Sequence, residues 1–144
     1  MPRAFDALKA AAREVGSIQI QNRGTIGGNL CNASPAADGV PPLLALDAEV
    51  EIASRSGARR MALSSFITGY RATALTQGEL LTAIIIPKRA MDAASVFLKL
   101  GARRYLVISI VMVAVNLARD PNGAISDARI AVGSASAVAQ RLNG

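Results

Sequence analysis

The chain has 144 residues, enough for one domain or two small subdomains, and its 51% hydrophobic content supports a buried core. A single cysteine, Cys31, excludes an internal disulfide, and a sequence without histidine excludes nucleophile–histidine pairs and histidine metal sites. The net charge of +6 comes from basic pairs that are scattered along the chain, and the sequence has few aromatic residues for base stacking. Both observations favour a solvated face or a docking surface for an acidic partner over a nucleic-acid groove.

The first predicted element is an amphipathic helix over residues 4–15, because apolar side chains recur there at helical spacing. Residues 16–42 are rich in glycine and proline, which predicts a long irregular stretch in which function would reside. At the end of this stretch we expect Asp38 to cap a short helix that carries Pro41 and Pro42 in its first turns.

The middle of the chain alternates short apolar runs with turn residues. The predicted segments are a hairpin of residues 49–53 and 59–62, a helical turn over 66–70 and a buried strand over 81–87. Ser64 or Ser65 would cap the helical turn, and Pro87 would end the strand.

A second unit is predicted to begin near residue 90, after a polar joint. Three apolar stretches predict strands of an antiparallel sheet, over residues 96–100, 108–118 and 125–132. The longest apolar run, residues 106–115, is far shorter than the roughly 20 residues of a membrane-spanning helix. No secretory signal pattern opens the chain, so we expect a cytoplasmic protein without membrane or nucleic-acid partners.

The segment of residues 19–30 is the best candidate for binding chemistry. Gly27 and Gly28 would let the backbone approach a ligand and adopt positive φ, so that successive N–H groups converge on a phosphate oxygen. Thr25 and Asn29 would add side-chain donors, and such a cradle suits a pyrophosphate. The segment matches neither the G-x-G-x-x-G fingerprint nor a P-loop, and a Gly-Gly pair by itself is more often a simple turn.

The surrounding residues carry a resemblance to a known family. The run from Val15 to Asp38, with Thr25-Ile26-Gly27-Gly28 at its centre, closely resembles the FAD-binding medium subunits of molybdenum hydroxylases, which include xanthine dehydrogenase and aerobic carbon monoxide dehydrogenase. The resemblance covers nearly the whole chain and continues through Pro42 to Ala48, Phe66, Gly69-Tyr70-Arg71, Glu79 to Leu81, Ile86-Pro87, Phe97 to Arg104 and Asp127 to Gly133.

The resemblance implies FAD as cofactor and a role for ten residues. The segment Thr25 to Gly28 would wrap the pyrophosphate, and Asp38 would bind the adenosine part. Leu80 or Leu81, together with Lys99, would approach the flavin, although plain core packing of the leucines and a solvated strand position for the lysine remain open. The implied cofactor-binding residues are Thr25, Ile26, Gly27, Gly28, Asn29, Ser34, Asp38, Leu80, Leu81 and Lys99.

The implied function is that of an FAD-binding electron-transfer component. Electrons would pass from iron–sulfur clusters of a partner subunit through FAD to an acceptor, after a molybdopterin-binding large subunit has oxidised the substrate. The implied fold is α+β: residues 1–89 form the second FAD-binding subdomain, a mixed sheet with helices, and residues 90–144 a partial, three-stranded antiparallel C-terminal flavoprotein subdomain.

The sequence also departs from the family pattern. The family's first glycine-rich FAD loop, Ala-Gly-Gly-Thr in an N-terminal subdomain, has no counterpart here, and we expect helices beyond the C-terminal sheet to be absent too. The chain would then supply half of an FAD site and be inactive by itself. The alternative is a non-catalytic remnant that acts as an assembly or interaction module.

Overall fold

The computed structural model describes residues 2–104 and 106–142, except for the side chain of Arg89. The α-helices are α1 (Asp6–Glu14), α2 (Ile18–Gln21), α3 (Ile26–Asn32), α4 (Val40–Ala45) and α5 (Leu63–Phe66). The strands are β1 (Glu49–Ser54), β2 (Gly57–Ala62), β3 (Ile67–Gly69), β4 (Ala72–Thr73), β5 (Leu80–Ile85), β6 (Ala94–Gly101), β7 (Ser109–Arg119), β8 (Ile125–Gly133) and β9 (Gln140–Leu142). Within these described ranges no helix is long and apolar enough to cross a membrane.

Helix α1 lies against β6 and confirms the predicted N-terminal helix. A 3-10 turn, Arg3–Phe5, precedes it, and its inward face carries the small residues Ala7 and Ala11, which allow a close approach to the sheet. Ser95 of β6 fixes the contact, since its Oγ accepts from the Ala7 N–H at 2.9 Å and donates to the Ala4 carbonyl at 2.8 Å.

The strands form three sheets, and every strand pairing among the described residues is antiparallel. The sheet orders are β2-β1-β5, β3-β4 and β6-β7-β8-β9. This confirms the α+β class, but the mixed pairing expected for the first sheet is wrong. The turn of two residues between β1 and β2 permits only antiparallel pairing, and β5 runs antiparallel to β1 on its other edge.

The C-terminal sheet has four strands where three were expected. The additional strand, β9, pairs with the end of β8, where Leu142 lies opposite Ile130. Its three residues show no apolar alternation that a sequence pattern could detect. The inner face of the sheet is buried through Phe97, Met112 and Ala114, whereas apolar side chains of β6 on the outer face are exposed: Val96, Leu98 and Leu100.

The stretch of residues 16–42 is more regular than predicted. Besides the start of the predicted α4 it contains two helices that were not predicted, α2 and α3, although glycine is a poor helix former. Thr25 offsets this in α3, because its Oγ1 accepts from the Gly28 N–H at 2.9 Å, and Leu30 is fully buried on the same helix. The two prolines fit α4 because they lie in its first turn, where their missing N–H groups cost nothing.

Two predicted helix caps are wrong. Gly39, not Asp38, occupies the cap position of α4 and makes no side-chain cap hydrogen bond, because the Asp38 carboxylate bonds to the C-terminal sheet. Ser64 and Ser65 lie inside α5, and of the residues expected to be helical after Phe66, Ile67–Gly69 form β3 and Tyr70 lies in a turn.

The hydrophobic core is continuous across residue 90. One buried cluster contains Leu43 and Val50 from the first part of the chain together with Phe97, Met112 and Ala131 from the second. The division at residue 90 therefore does not separate two independent cores and stays a prediction.

Glu79, just before β5, is held by a bidentate ion pair with a predictable pH dependence. Arg59 donates from Nε and Nη2 to its two carboxylate oxygens at 2.8 and 2.9 Å, and the Thr76 N–H donates at 2.9 Å. The hydrogen bonds from Arg59, followed by the one from the Thr76 N–H, lower the pKa of Glu79 from 4.5 to about 2. Because the folded-state pKa lies below the unfolded value, the pair's stabilisation is present above the unfolded pKa and is lost as the pH falls through the folded one.

We therefore expect Glu79→Gln to lower the free energy of unfolding at neutral pH, and the difference from the wild type to vanish as the pH falls from 4.5 toward 2. Urea unfolding followed by circular dichroism measures both. Glu49→Gln, at an exposed position of β1 without an ion pair among the described residues, is the matched control. A difference that persists unchanged at the lowest pH would contradict the assignment.

Candidate functional site

Two adjoining cavities lie where α1, α2 and α3 face the loop before α4. The polar cavity, of about 420 Å³, is lined among others by Asn29, Ser34, Asp38 and Val107. The apolar cavity, of about 280 Å³, is lined mainly by aliphatic side chains: Leu8, Ala12, Val15, Ile20 and Ile26. Val15, Ile20 and Asn29 line both, so a single extended ligand could occupy the two.

Asp38 forms a buried cluster with residues of the C-terminal sheet, here called the Asp38 cluster (Asp38, Lys99 and Ser109). Lys99 of β6 donates from Nζ to Oδ2 at 3.0 Å, and Ser109 of β7 donates from Oγ to Oδ1 at 3.0 Å. The side chains of Asp38 and Lys99 are each only 8% exposed, which rules out the solvated position that the sequence allowed for Lys99. Burial raises the pKa of Asp38, and the hydrogen bonds from Lys99 and Ser109 oppose that rise.

Gly27 and Gly28 occupy the first turn of α3 in helical geometry. Their expected positive φ is therefore wrong; the positive-φ glycines among the described residues lie elsewhere, at Gly16, Gly57, Gly78 and Gly123. What the glycines provide is space. A Cβ at Gly27 would lie 3.2 Å from Leu81 Cδ2, and a Cβ at Gly28 would lie 3.0 Å from Thr25 Oγ1.

Asn29 supplies an acceptor that the described part of the chain leaves unused. Its Oδ1 is buried and has no hydrogen-bond partner there, although the residue lines both cavities. Such an atom costs about 1–3 kcal/mol when it stays unsatisfied. Gly39 leaves room beside it, since a Cβ at that position would lie 2.8 Å from Asn29 Oδ1. A ligand hydroxyl or N–H group would satisfy it.

Two of the remaining predicted site residues line the cavities, and two do not. Ser34 lines the polar cavity, where its Oγ accepts from the Ala36 N–H at 3.3 Å, and Ile26 lines the apolar cavity. Leu81 reaches α3 beside Gly27 and packs against the core. Leu80 is 71% exposed and lines neither cavity, because neighbouring residues of a strand point to opposite faces.

Ser109 belongs to the site but was not predicted. The sequence offered one signal, namely that this serine interrupts the apolar run of residues 106–115. Only the strand register shows that its hydroxyl reaches the Asp38 carboxylate. Ser109 lies opposite Gly101, two residues beyond Lys99 on β6, so both side chains meet the same carboxylate.

A larger open depression, of about 700 Å³, lies between residues 91–96 and Arg119. Arg3 also lines it, and it contains none of the predicted site residues. Its size alone does not favour it over the two smaller cavities, because both of these are lined by Asn29 with its buried, unpartnered Oδ1, and the polar one also borders Asp38.

The sequence is similar to the FAD-binding domain of molybdopterin dehydrogenases, whose family model matches residues 1–89. It is 45% identical over 108 residues to the nicotinate dehydrogenase FAD-subunit of Eubacterium barkeri, covering 73% of this chain and 36% of that protein. It is 36% identical over 134 residues to the xanthine dehydrogenase FAD-binding subunit of Escherichia coli O157:H7, covering 92% and 46%. The chain thus spans less than half the length of these curated relatives.

Two solved structures share the fold. The carbon monoxide dehydrogenase of Hydrogenophaga pseudoflava matches with a TM-score of 0.84 and 27% identity, over 98% of this chain and 50% of that one. Quinoline 2-oxidoreductase of Pseudomonas putida 86 matches with a TM-score of 0.83 and 28% identity, over 95% and 48%. The similarity therefore extends over nearly the whole chain.

Proposed function

Because this chain belongs to the family of FAD-binding domains of molybdopterin dehydrogenases, we propose that its two cavities form part of the FAD site of an electron-transfer component in a molybdenum hydroxylase. FAD is the cofactor of this family, and related chains are oxidoreductase subunits. When bound, FAD would supply the redox chemistry for electrons that originate at iron–sulfur clusters of a partner subunit next to a molybdopterin-binding large subunit. The residues of this chain bind and orient it.

The observation that carries the proposal is the buried, unpartnered Asn29 Oδ1 where the polar and apolar cavities meet. A dinucleotide with ribityl and ribose hydroxyls offers donors for such an acceptor, and its rings suit an aliphatic slot. The turn from Thr25 to Gly28 is the segment we assign to the pyrophosphate. Its glycines carry no side chains that would keep a ligand from the backbone.

Asp38 has acceptor capacity left for the adenosine part. An ionised carboxylate offers about four lone-pair sites, and Lys99 and Ser109 use one on each oxygen. The remaining sites can accept from ribose hydroxyls. Lys99 also balances the charge of Asp38, which would otherwise repel an anionic pyrophosphate from a buried position.

A second candidate function, an assembly or interaction module, is favoured by the apolar outer face of β6. Val96, Leu98 and Leu100 are 50%, 68% and 58% exposed. Adjacent apolar side chains of this size usually mark a contact with another protein surface. Such a role does not need FAD, which makes the two candidates separable.

The test uses the complete FAD-binding subunit that contains this chain, alone and with its partner subunits. We expect Asn29→Leu to lower the FAD content measured by absorbance after gel filtration, because the buried acceptor is lost. Asn122→Leu, in the turn before β8, is the matched control and should leave FAD content unchanged.

Stopped-flow reduction by substrate then tests electron transfer in the assembled enzyme. Reduction of the flavin band through the partner subunits supports the proposed function. A subunit that assembles normally but holds no FAD, or holds FAD that substrate never reduces, would favour the interaction module.

A further inference from the structure

We infer that Ser109 is a positioning residue, which fixes the orientation of the Asp38 carboxylate toward the adenosine part of the cofactor. The inference rests on the proposed FAD site and adds to it a residue that the family resemblance does not supply. Ser109 is 7% exposed, and its Oγ donates to Asp38 Oδ1 at 3.0 Å.

The geometry explains why two donors are needed. Lys99 donates to Oδ2 and Ser109 to Oδ1, so rotation of the carboxylate about its Cβ–Cγ bond breaks at least one hydrogen bond. Lys99 alone would not prevent that rotation, since an ammonium group on a flexible stem can follow the moving oxygen. Ser109 has a short side chain on a paired strand and cannot follow.

The strand register holds Ser109 in place. Ser109 lies opposite Gly101 at the end of the β6–β7 pairing, next to an irregularity between Leu100 and Gly101. The chain packs closely at this point, where a Cβ at Gly101 would lie 2.5 Å from Val107 Cγ1. The same segment of residues 106–108 lines the polar cavity, so β7 begins directly at the cavity wall.

The charges around Asp38 give the inference a second readout. Lys99 of β6 and Ser109 of β7 stabilise the ionised carboxylate, whereas Glu14 of α1 opposes ionisation. Removing the Ser109 hydroxyl removes one donor from the charged form, so Asp38 should take up a proton at a higher pH. A protonated Asp38 is a weaker acceptor for ribose hydroxyls, and FAD should then be released at a higher pH on acidification.

The experiment measures FAD affinity in the complete FAD-binding subunit by flavin fluorescence, with FMN as a ligand that lacks adenosine. Ser109→Ala should weaken FAD binding about tenfold, leave FMN binding unchanged and raise the pH midpoint of FAD release. Ser109→Thr keeps the hydroxyl and should restore both FAD affinity and the midpoint. Ser95→Ala is the matched control, because Ser95 lies on the same sheet and makes hydrogen bonds to Ala4 and Ala7 of the N-terminal helical segment but none to Asp38.

Three outcomes decide the matter. Loss of FAD affinity in Ser109→Ala with rescue by threonine, and no change in Ser95→Ala, supports the positioning role. Equal weakening of FAD and FMN, or an unchanged FAD affinity in Ser109→Ala while Asp38→Ala loses FAD, overturns it and leaves the FAD site intact. If Asp38→Ala also keeps full FAD affinity, the proposed site itself is wrong.

Discussion

Replacing Gly27 by valine is expected to lower the FAD affinity of the complete subunit by about 100-fold, with little FAD left after gel filtration. Gly27 lies in the first turn of α3, and a Cβ there would already be 3.2 Å from Leu81 Cδ2. The two methyl groups of valine must either displace Leu81 or enter the space next to the exposed first turn. No left-handed backbone strain contributes, because Gly27 is helical.

A second substitution separates the two steric causes. If contact with Leu81 alone were responsible, combining Gly27→Val with Leu81→Ala would restore FAD. We expect it not to, since the ligand needs the same space. Gly69→Val is the control for adding valine elsewhere, because a Cβ at Gly69 would meet only Ala72 at an ordinary 3.8 Å. Stoichiometric FAD in Gly27→Val would contradict the cradle assigned to Thr25–Gly28.

Replacing Asp38 by alanine is expected to cost both stability and cofactor. The substitution leaves the Lys99 ammonium buried without its carboxylate, which typically destabilises a protein by about 3–5 kcal/mol. FAD binding should weaken as well, because acceptors for the adenosine part are lost. Urea unfolding and FAD titration of the same preparation measure the two effects.

The double variant Asp38→Ala with Lys99→Met distinguishes these effects. A methionine of similar length removes the unpaired charge, so most of the free energy of unfolding should return. The FAD affinity should remain low, because the methionine restores no acceptor. A double variant that regains full FAD affinity would show that Asp38 acts only through folding.

Local patterns predicted much of the fold because the elements concerned have strong periodicity. The amphipathic spacing of residues 4–15 gave α1, the hairpin pattern gave β1 and β2, and apolar runs gave β5, β6, β7 and β8. Helix α3 was missed because Gly27 and Gly28 have low helix propensity, which the Thr25 cap and the buried Leu30 overcome. Strand β9 is too short and polar to show a pattern.

The site was less accessible to sequence reasoning because its central contacts are distant along the chain. Asp38 and Lys99 are separated by 61 residues, and Asp38 and Ser109 by 71. The family resemblance suggested Asp38 and Lys99 separately, at opposite ends of the cofactor. Their direct ion pair, and the part of Ser109 in it, depend on the register of β6 against β7.

The most direct test of the proposed FAD site is photo-cross-linking of the complete subunit with FAD that carries an azide on its adenine. Mass spectrometry of the digested protein locates the label, and excess unlabelled FAD gives the background. The account predicts that the label that excess unlabelled FAD suppresses falls on residues 34–38 or 106–108, at the wall of the polar cavity. Specific label confined to the depression between Arg3 and Arg119, with none around Asp38, would contradict it.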